Sequence, residues 1–79
     1  MELKIKTFGI TRDILGAREV VFELKGKSVL DLRHELNTKH HELVGLKSLF
    51  IAVNQHYAAD EILLNETDEI ALIPPVAGG

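Results

Sequence analysis

Two short segments of the chain alternate between apolar and polar residues, and a helix-like segment follows the second of them. Residues 2–7 read Glu-Leu-Lys-Ile-Lys-Thr, and residues 19–24 read Glu-Val-Val-Phe-Glu-Leu. A period of two predicts a strand with one buried face, because successive side chains point to opposite sides of a sheet. In a chain of 79 residues, two such strands and a helix that covers their apolar face favour a single α+β domain.

Two helices are predicted, one long and one short. Ser28 and Asp31 have the spacing of a capping box, in which each side chain bonds the other residue's backbone amide. Apolar residues follow at helical spacing, so the main helix is expected to run from this box to about His40. The short helix is expected to begin with Thr11 as its N-cap and to stop at Gly16.

Three further strands are predicted in the second half of the chain. Residues 49–53 form a continuous apolar run, which is typical of a strand buried on both faces. Residues 54–56 read as a turn, and residues 57–59 read as a short edge strand. A polar turn at residues 65–68 leads into the last strand at residues 69–73.

The order strand, strand, helix, strand, short strand, strand is that of the ubiquitin-like β-grasp fold. We expect a mixed sheet of four to five strands with one main helix packed on one face, and the last strand parallel to the first at the sheet centre. The domain is expected to span residues 1–79, with a flexible tail at residues 74–79. Phe8, Phe22 and Phe50 lie in apolar strand patterns and are assigned to the core.

Composition excludes several classes of function. The absence of cysteine excludes disulfides, thiolate metal sites and a catalytic thiol. Nine basic against 12 acidic residues, with no dense run of Lys or Arg, disfavour nucleic-acid binding. The N-terminus shows no long apolar run behind a basic segment, so neither secretion nor membrane insertion is predicted. A cytoplasmic location is therefore the default expectation. The four histidines do not have the spacing of a zinc motif, and no metal site is predicted.

The C-terminal residues carry the strongest functional signal. Pro74-Pro75 ends sheet pairing, because proline has no amide hydrogen, and stiffens the exit of the chain. Residues 76–79 then read Val-Ala-Gly-Gly, a taper that fits a narrow channel. The reactive group at the tip is the α-carboxylate of Gly79, which must be activated, for instance as an acyl-adenylate. The chain has no phosphate-binding loop or thiol for that step, so a separate protein must supply it.

The tail and three other segments together form a pattern known from one protein family. Residues 73–79 read as an apolar residue, two prolines, valine, a small residue and Gly-Gly. Three other segments follow the same pattern in order along the chain. They are a first helix at residues 12–16, a third strand with its turn at residues 52–55, and a turn into the last strand at residues 65–70. This pattern resembles the small, sulfur-carrier subunit of molybdopterin synthase, one of the ubiquitin-like sulfur carriers. The isoleucine and alanine of the tail depart from the aromatic residue and threonine of many relatives, but they stay apolar or small.

The resemblance implies a function for the tail. An adenylating enzyme of the ubiquitin-activating type would use ATP to adenylate Gly79, and a sulfurtransferase would convert the carboxylate into a thiocarboxylate. The carrier would join the large catalytic subunit of molybdopterin synthase, usually as a heterotetramer, and donate sulfur to cyclic pyranopterin monophosphate in molybdenum cofactor biosynthesis. Gly78 would let the tail enter a narrow pocket. The residues assigned to partner binding are Ile73, Pro74, Pro75, Val76 and Ala77. The carrier itself is expected to bind no cofactor and to be no enzyme on its own.

Three other functions stay open from the sequence. A sulfur carrier for thiazole synthesis would also end in Gly-Gly, although such carriers tend to lack the short first helix and the two prolines. A ubiquitin-like protein modifier would join Gly79 to a target lysine through an isopeptide bond, and a ubiquitin-like binding module would carry an inert tail. An acidic stretch at residues 60–69 is a solvated face with turn residues or, alternatively, a docking patch for a basic partner.

Overall fold

The secondary structure was assigned in a computed structural model, in which the described residues are 1–46 and 48–75. The strands are β1 Glu2–Thr7, β2 Glu19–Glu23, β3 Phe50–Val53, β4 His56–Tyr57 and β5 Glu69–Ile73. The α-helices are α1 Ile10–Leu15 and α2 Val29–Lys39, and a 3₁₀-helix spans His41–Gly45. The longest of these helices has 11 residues, and within the described ranges none is long and apolar enough to cross a bilayer.

The five strands form one mixed sheet in the order β2-β1-β5-β3-β4. β1 pairs antiparallel with β2 and parallel with β5, while β3 lies antiparallel to both β5 and β4. The last strand therefore lies at the centre of the sheet and parallel to the first, as predicted. With α2 packed on one face, this arrangement confirms the predicted β-grasp fold.

The core lies between α2 and one face of the sheet. The helix residues Val29, Leu32 and Leu36 are buried, at the spacing of one helical face. The strands contribute six buried residues to the same cluster, namely Leu3, Ile5, Phe22, Ile51, Ile70 and Leu72. Burying each of these side chains contributes about 1.5–3 kcal/mol, which is why the helix and the sheet stay together.

The predicted capping box is present at the start of α2. Ser28 Oγ accepts from the Asp31 amide at 3.1 Å, and Asp31 Oδ2 accepts from the amides of Ser28 at 3.1 Å and Lys27 at 2.9 Å. The bond from the Lys27 amide, then those from the Ser28 amide and hydroxyl, lower the pKa of Asp31, because they favour the charged carboxylate. The helix ends at Lys39 with His40 as its C-cap, as predicted.

The start of α1 differs from the prediction. Gly9, not Thr11, is the N-cap, with a φ of 53° and no side-chain cap bond. Thr11 is fully buried, and its hydroxyl accepts from the Phe8 amide at 2.9 Å and donates to the Phe8 carbonyl at 2.6 Å. A threonine hydroxyl can bond backbone groups as a cap or in a preceding turn, and the spacing does not distinguish the two. Gly16 ends the helix in the left-handed conformation, as predicted.

The turn between β3 and β4 is shorter than predicted. Asn54 and Gln55 have φ values of 53° and 71°, as in a two-residue type I′ hairpin. His56 is therefore already the first residue of β4, which ends at Tyr57. The predicted edge strand at residues 57–59 was wrong at both ends, because a two-residue turn brings the chain back into pairing sooner than the three-residue turn assumed.

Burial differs from the prediction for two of the three phenylalanines. Phe22 is 6% exposed and belongs to the core, as predicted, but Phe8 and Phe50 are 42% and 47% exposed. The reason is that α2 covers only one face of the sheet, and neither of these rings belongs to the cluster beneath it. Leu43 is buried as part of the 3₁₀-helix, a segment for which the sequence patterns predicted no regular structure.

Candidate functional site at the root of the tail

The chain leaves the sheet from its central strand. At the end of β5, Leu72 lies opposite Thr7 of β1, and Ile73 lies opposite Phe50 of β3. Leu72 and Thr7 are buried, with 0% and 1% exposure. The end of β5, where the tail begins, is therefore fixed by pairing with a strand on each side. We call this point the mount of the tail.

The two prolines follow β5 directly. Pairing stops at Ile73, as predicted, since neither Pro74 nor Pro75 has an amide hydrogen to donate. Pro74 is half-buried and Pro75 is exposed, so solvent exposure increases from the first proline to the second. The remaining predicted site residues lie outside the described residues, and their roles stay predictions: Val76, Ala77, Gly78 and Gly79.

An apolar surface adjoins this mount on the sheet face opposite α2. We call it the root cluster, and it consists of Phe50, Ala52, Tyr57, Ala71 and Ile73, which are linked as cross-strand neighbours. The rings of Phe50 and Tyr57 stack with 4.9 Å between their centroids, yet they remain 47% and 68% exposed. Grouped aromatic side chains left in water are typical of a surface that binds another protein.

The same sheet face is charged away from the tail. Lys4 and Lys6 of β1 lie opposite Glu69 and Ala71 of β5. Lys6 Nζ is 3.4 Å from the Glu69 carboxylate, and both side chains are almost half exposed, so the pair contributes at most about 1 kcal/mol. The face is thus apolar on β3, β4 and the end of β5, and charged on β1 and at the start of β5. This division favours one orientation of a bound partner.

Part of the acidic stretch at residues 60–69 is used within the chain. Asp60 Oδ1 lies 3.6 Å from Nε of Arg33. Asp68 accepts from the Asn65 amide and from the Asn54 side chain, each at 2.9 Å. Asp68 therefore bonds its own turn, which agrees with the interpretation of the stretch as a solvated face with turn residues. The role of the stretch as a docking patch stays a prediction.

The root cluster consists of aliphatic and aromatic side chains, and its one polar side-chain group is the hydroxyl of Tyr57. Within the described ranges, no three side chains among His, Cys, Asp and Glu gather closely enough to bind a metal ion. Exposed aromatic and aliphatic side chains of this kind are suited to contact with another protein's surface.

Phe50 and Tyr57 were not predicted as binding residues. Ile73 was assigned to a partner surface, and the strand register now brings Phe50 opposite it. The available sequence signal was alternation: Phe50 and Ala52 share one parity within a run read as buried on both faces. Alternation shows that these two side chains point to the same face of the sheet. It does not show whether that face is covered by the helix, because the neighbouring strands decide this.

Comparison with known proteins places the chain in a family. The profile of the ThiS family matches residues 5–79, which include nearly all of the sheet as well as the tail. This chain belongs to the ThiS family. Among curated relatives of this ThiS family member, the molybdopterin synthase sulfur carrier subunit of Chlamydomonas reinhardtii is 35% identical over 83 residues and covers 100% of both chains. The Homo sapiens protein of the same name is 32% identical, over 99% of this chain and 94% of its own length.

Solved structures agree with the fold of this ThiS family member. The small archaeal modifier protein 1 of Methanosarcina acetivorans superimposes with a TM-score of 0.79 at 29% identity, covering 99% of this chain and 96% of that one. A chain in the complex of subunits 1 and 2 of the molybdopterin-converting factor from Helicobacter pylori superimposes with a TM-score of 0.67 at 28% identity, covering 100% of both chains.

Proposed function

We propose that this chain is the sulfur carrier subunit of a molybdopterin synthase and acts through the C-terminal carboxylate of Gly79. The observation that carries the proposal is the root cluster: a chain end is mounted on the central strand beside an exposed apolar surface. The names of the curated relatives support it, and so does the family match, which runs through the tail. These names favour the molybdopterin pathway over thiazole synthesis.

The chemistry takes place on the terminal carboxylate. In an adenylating enzyme, an oxygen of Gly79 attacks the α-phosphate of ATP and pyrophosphate leaves. The outer sulfur of a sulfurtransferase persulfide then displaces AMP and forms an acyl disulfide. A thiol cleaves the S–S bond of this intermediate, which leaves the thiocarboxylate on Gly79 and a disulfide on the sulfurtransferase side. In the large catalytic subunit, this sulfur attacks a carbon of cyclic pyranopterin monophosphate and displaces an oxygen substituent from it, as phosphate oxygen or water. A water molecule then cleaves the resulting thioester. The sulfur stays on the pterin and the carrier regains its carboxylate, so it can be used again.

The residues of this chain bind and orient in this scheme. The root cluster docks the partner, Pro74-Pro75 directs the tail, and Gly78 allows close approach of the walls of a narrow channel. The adenylating enzyme and the large subunit both receive the same C-terminal tail, which begins beside the root cluster. Both partners therefore cover the root cluster when they bind. The two partners therefore bind in turn, and the loaded carrier must dissociate from the first before it joins the second.

The decisive experiment is the intact mass of the protein purified from its native cells, together with the fragment that contains Gly79. A mass gain equal to the exchange of one oxygen for sulfur, located at Gly79, supports the proposal. An unmodified mass after incubation with ATP, a sulfur donor and the adenylating enzyme contradicts it. Deletion of Gly79 is the matched control, since it leaves the root cluster in place: the shortened chain should bind the adenylating enzyme and gain no sulfur.

A protein modifier is the second candidate. It is favoured by the likeness to the small archaeal modifier protein 1 of Methanosarcina acetivorans, since an adenylated Gly79 could equally be attacked by a lysine amine. The same mass analysis separates the two functions. Lysine-linked adducts that end in Gly79 would support the modifier, and a thiocarboxylate without such adducts would support the carrier.

A further inference from the structure

Gly9 faces the first proline of the tail. It lies between the end of β1 and the start of α1, with φ 53° and ψ −131°, a conformation that is open essentially to glycine alone. A Cβ added to Gly9 would lie 3.2 Å from Cγ of Pro74, which is closer than ordinary van der Waals contact. The Pro74 ring therefore occupies space that is available because Gly9 has no side chain.

The Gly9 side of this contact is held in place. The preceding residue, Phe8, has its amide and its carbonyl bonded to the buried hydroxyl of Thr11. The carbonyl of Gly9 itself accepts from the Arg12 amide at 3.1 Å. This segment cannot retreat from the proline ring without breaking hydrogen bonds at a buried threonine, each worth about 1 kcal/mol.

The sheet side is held as well. Ile73 is paired with Phe50, and Leu72 is paired with Thr7, so the chain up to the proline cannot slide. A side chain at position 9 would therefore require the Pro74 ring to shift by a few tenths of an ångström, and the chain that follows would turn with the ring. Five residues beyond Pro74 span at most about 17 Å when extended, so a turn of about 10° moves the end by roughly 3 Å.

We propose that Gly9 is a positioning residue for sulfur loading: its contact with Pro74 sets the direction in which the tail leaves the sheet. The proposal rests on the proposed function. In the adenylating enzyme the carboxylate must meet the α-phosphate of ATP, and misplacement by about 1 Å can cost 100-fold in rate. The root cluster is not altered by a substitution at Gly9, so kcat for adenylation should fall while KM for the carrier stays nearly constant.

The test compares Gly9→Ala with Gly16→Ala. Both glycines have positive φ, at 53° and 83°, but a Cβ on Gly16 meets nothing within 4 Å. Adenylation is followed by ATP–pyrophosphate exchange with the adenylating enzyme, and the thermal unfolding of each variant is recorded. We expect both variants to lose stability and only Gly9→Ala to lose kcat, by about tenfold or more. An equal loss of kcat in both variants would mean that backbone strain explains the effect, and would overturn the proposal.

A second comparison tests the contact itself. In the Pro74→Ala background the ring is absent, so Gly9→Ala should cause little further loss of kcat; the same fold-loss in both backgrounds contradicts the proposal. If Gly9→Ala does not fold, Pro74→Ala is compared with Pro75→Ala, and an equal effect of the two is the contradicting result. Wild-type protein that is not adenylated overturns the proposed function and this inference together. Wild-type protein that is adenylated no faster than Gly9→Ala overturns this inference alone.

Discussion

The rings of Phe50 and Tyr57 stack on the sheet face opposite α2, with 4.9 Å between their centroids and 18° between their planes. Stacking of this kind stabilises a pair by about 0.5–1.5 kcal/mol beyond burial, yet both rings stay substantially exposed. β3 and β4 hold them through the pairing of Ala52 with Tyr57. The pair therefore forms a preorganised apolar surface beside the point where the tail begins, and it loses little side-chain entropy when a partner covers it.

Tyr57→Ala should weaken the binding of the adenylating enzyme by at least about tenfold, because truncating a central aromatic residue of an interface commonly costs 2 kcal/mol or more. Isothermal titration calorimetry measures the change in Kd. Val21→Ala is the matched control, since Val21 is 63% exposed against 68% for Tyr57 but lies on β2 at the other edge of the sheet. Equal Kd values for the two variants would show that the root cluster does not bind this enzyme.

Thr11→Val should lower the free energy of unfolding by about 1–3 kcal/mol, because it leaves the Phe8 amide without its hydroxyl acceptor next to a buried side chain. Urea denaturation followed by circular dichroism measures the change. Thr11→Ser keeps the hydroxyl, and we expect it to retain more of the stability than valine does. A valine variant as stable as the wild type would show that these bonds contribute nothing net.

Gln55→Gly should raise the free energy of unfolding by about 0.5–1 kcal/mol, because Gln55 has a φ of 71° that glycine adopts without strain. Asn54→Gly, in the same turn, should have the opposite sign. Asn54 has a positive φ too, but its side chain accepts from the Glu69 amide and donates to Asp68, both at 2.9 Å. Thermal unfolding of both variants provides the measurement, and stabilisation by Asn54→Gly would contradict the assigned role of its side chain.

Asp31 should make the fold sensitive to acid. Its pKa is lowered in the folded protein, first by the bond from the Lys27 amide, so between the folded and unfolded pKa values the unfolded state binds more protons. Stability from this group is then complete above about pH 4 and is lost as the pH falls through the lowered folded pKa. Denaturant unfolding between pH 2 and pH 6, values within about two units of the ordinary aspartate pKa, should show a shallower acid-side slope for Asp31→Asn.

Ser28→Ala should have an intermediate effect on how steeply the free energy of unfolding falls at acid pH. It removes the hydroxyl contribution to the lowered pKa of Asp31 and leaves the amide bonds of Lys27 and Ser28 in place. We therefore expect its acid-side slope to lie between those of the wild type and Asp31→Asn. Identical slopes for all three proteins would show that this carboxylate does not link stability to pH.

Local capping and helix-stop patterns predicted the structure correctly where only one hydrogen-bonding arrangement could satisfy them. The capping box of Ser28 and Asp31 and the helix stop at Gly16 both form as predicted, because each involves residues a few positions apart. Thr11 shows where such signals fail. Its hydroxyl bonds Phe8 in the preceding turn instead of capping the helix, and both choices satisfy the same local chemistry.

Only part of the candidate site was predictable. The prolines were assigned as the end of the last strand from residue type, and Ile73 was assigned to partner binding from the family resemblance. Phe50 was placed in the core, although it is 47% exposed. A continuous apolar strand gives no contrast between its two faces, so its orientation depends on what packs on each side. In this sheet α2 covers one face, and Phe50 lies on the other.

By itself, the sequence determined the order of the elements and the end of β5 before Pro74, because alternation, capping and the missing proline amide act within a few residues. The tertiary structure alone decided that Phe50 lies opposite Ile73 and that Gly9 meets Pro74. Those contacts join segments far apart in the chain. They depend on the register between strands, which the periodicity of either strand leaves undetermined.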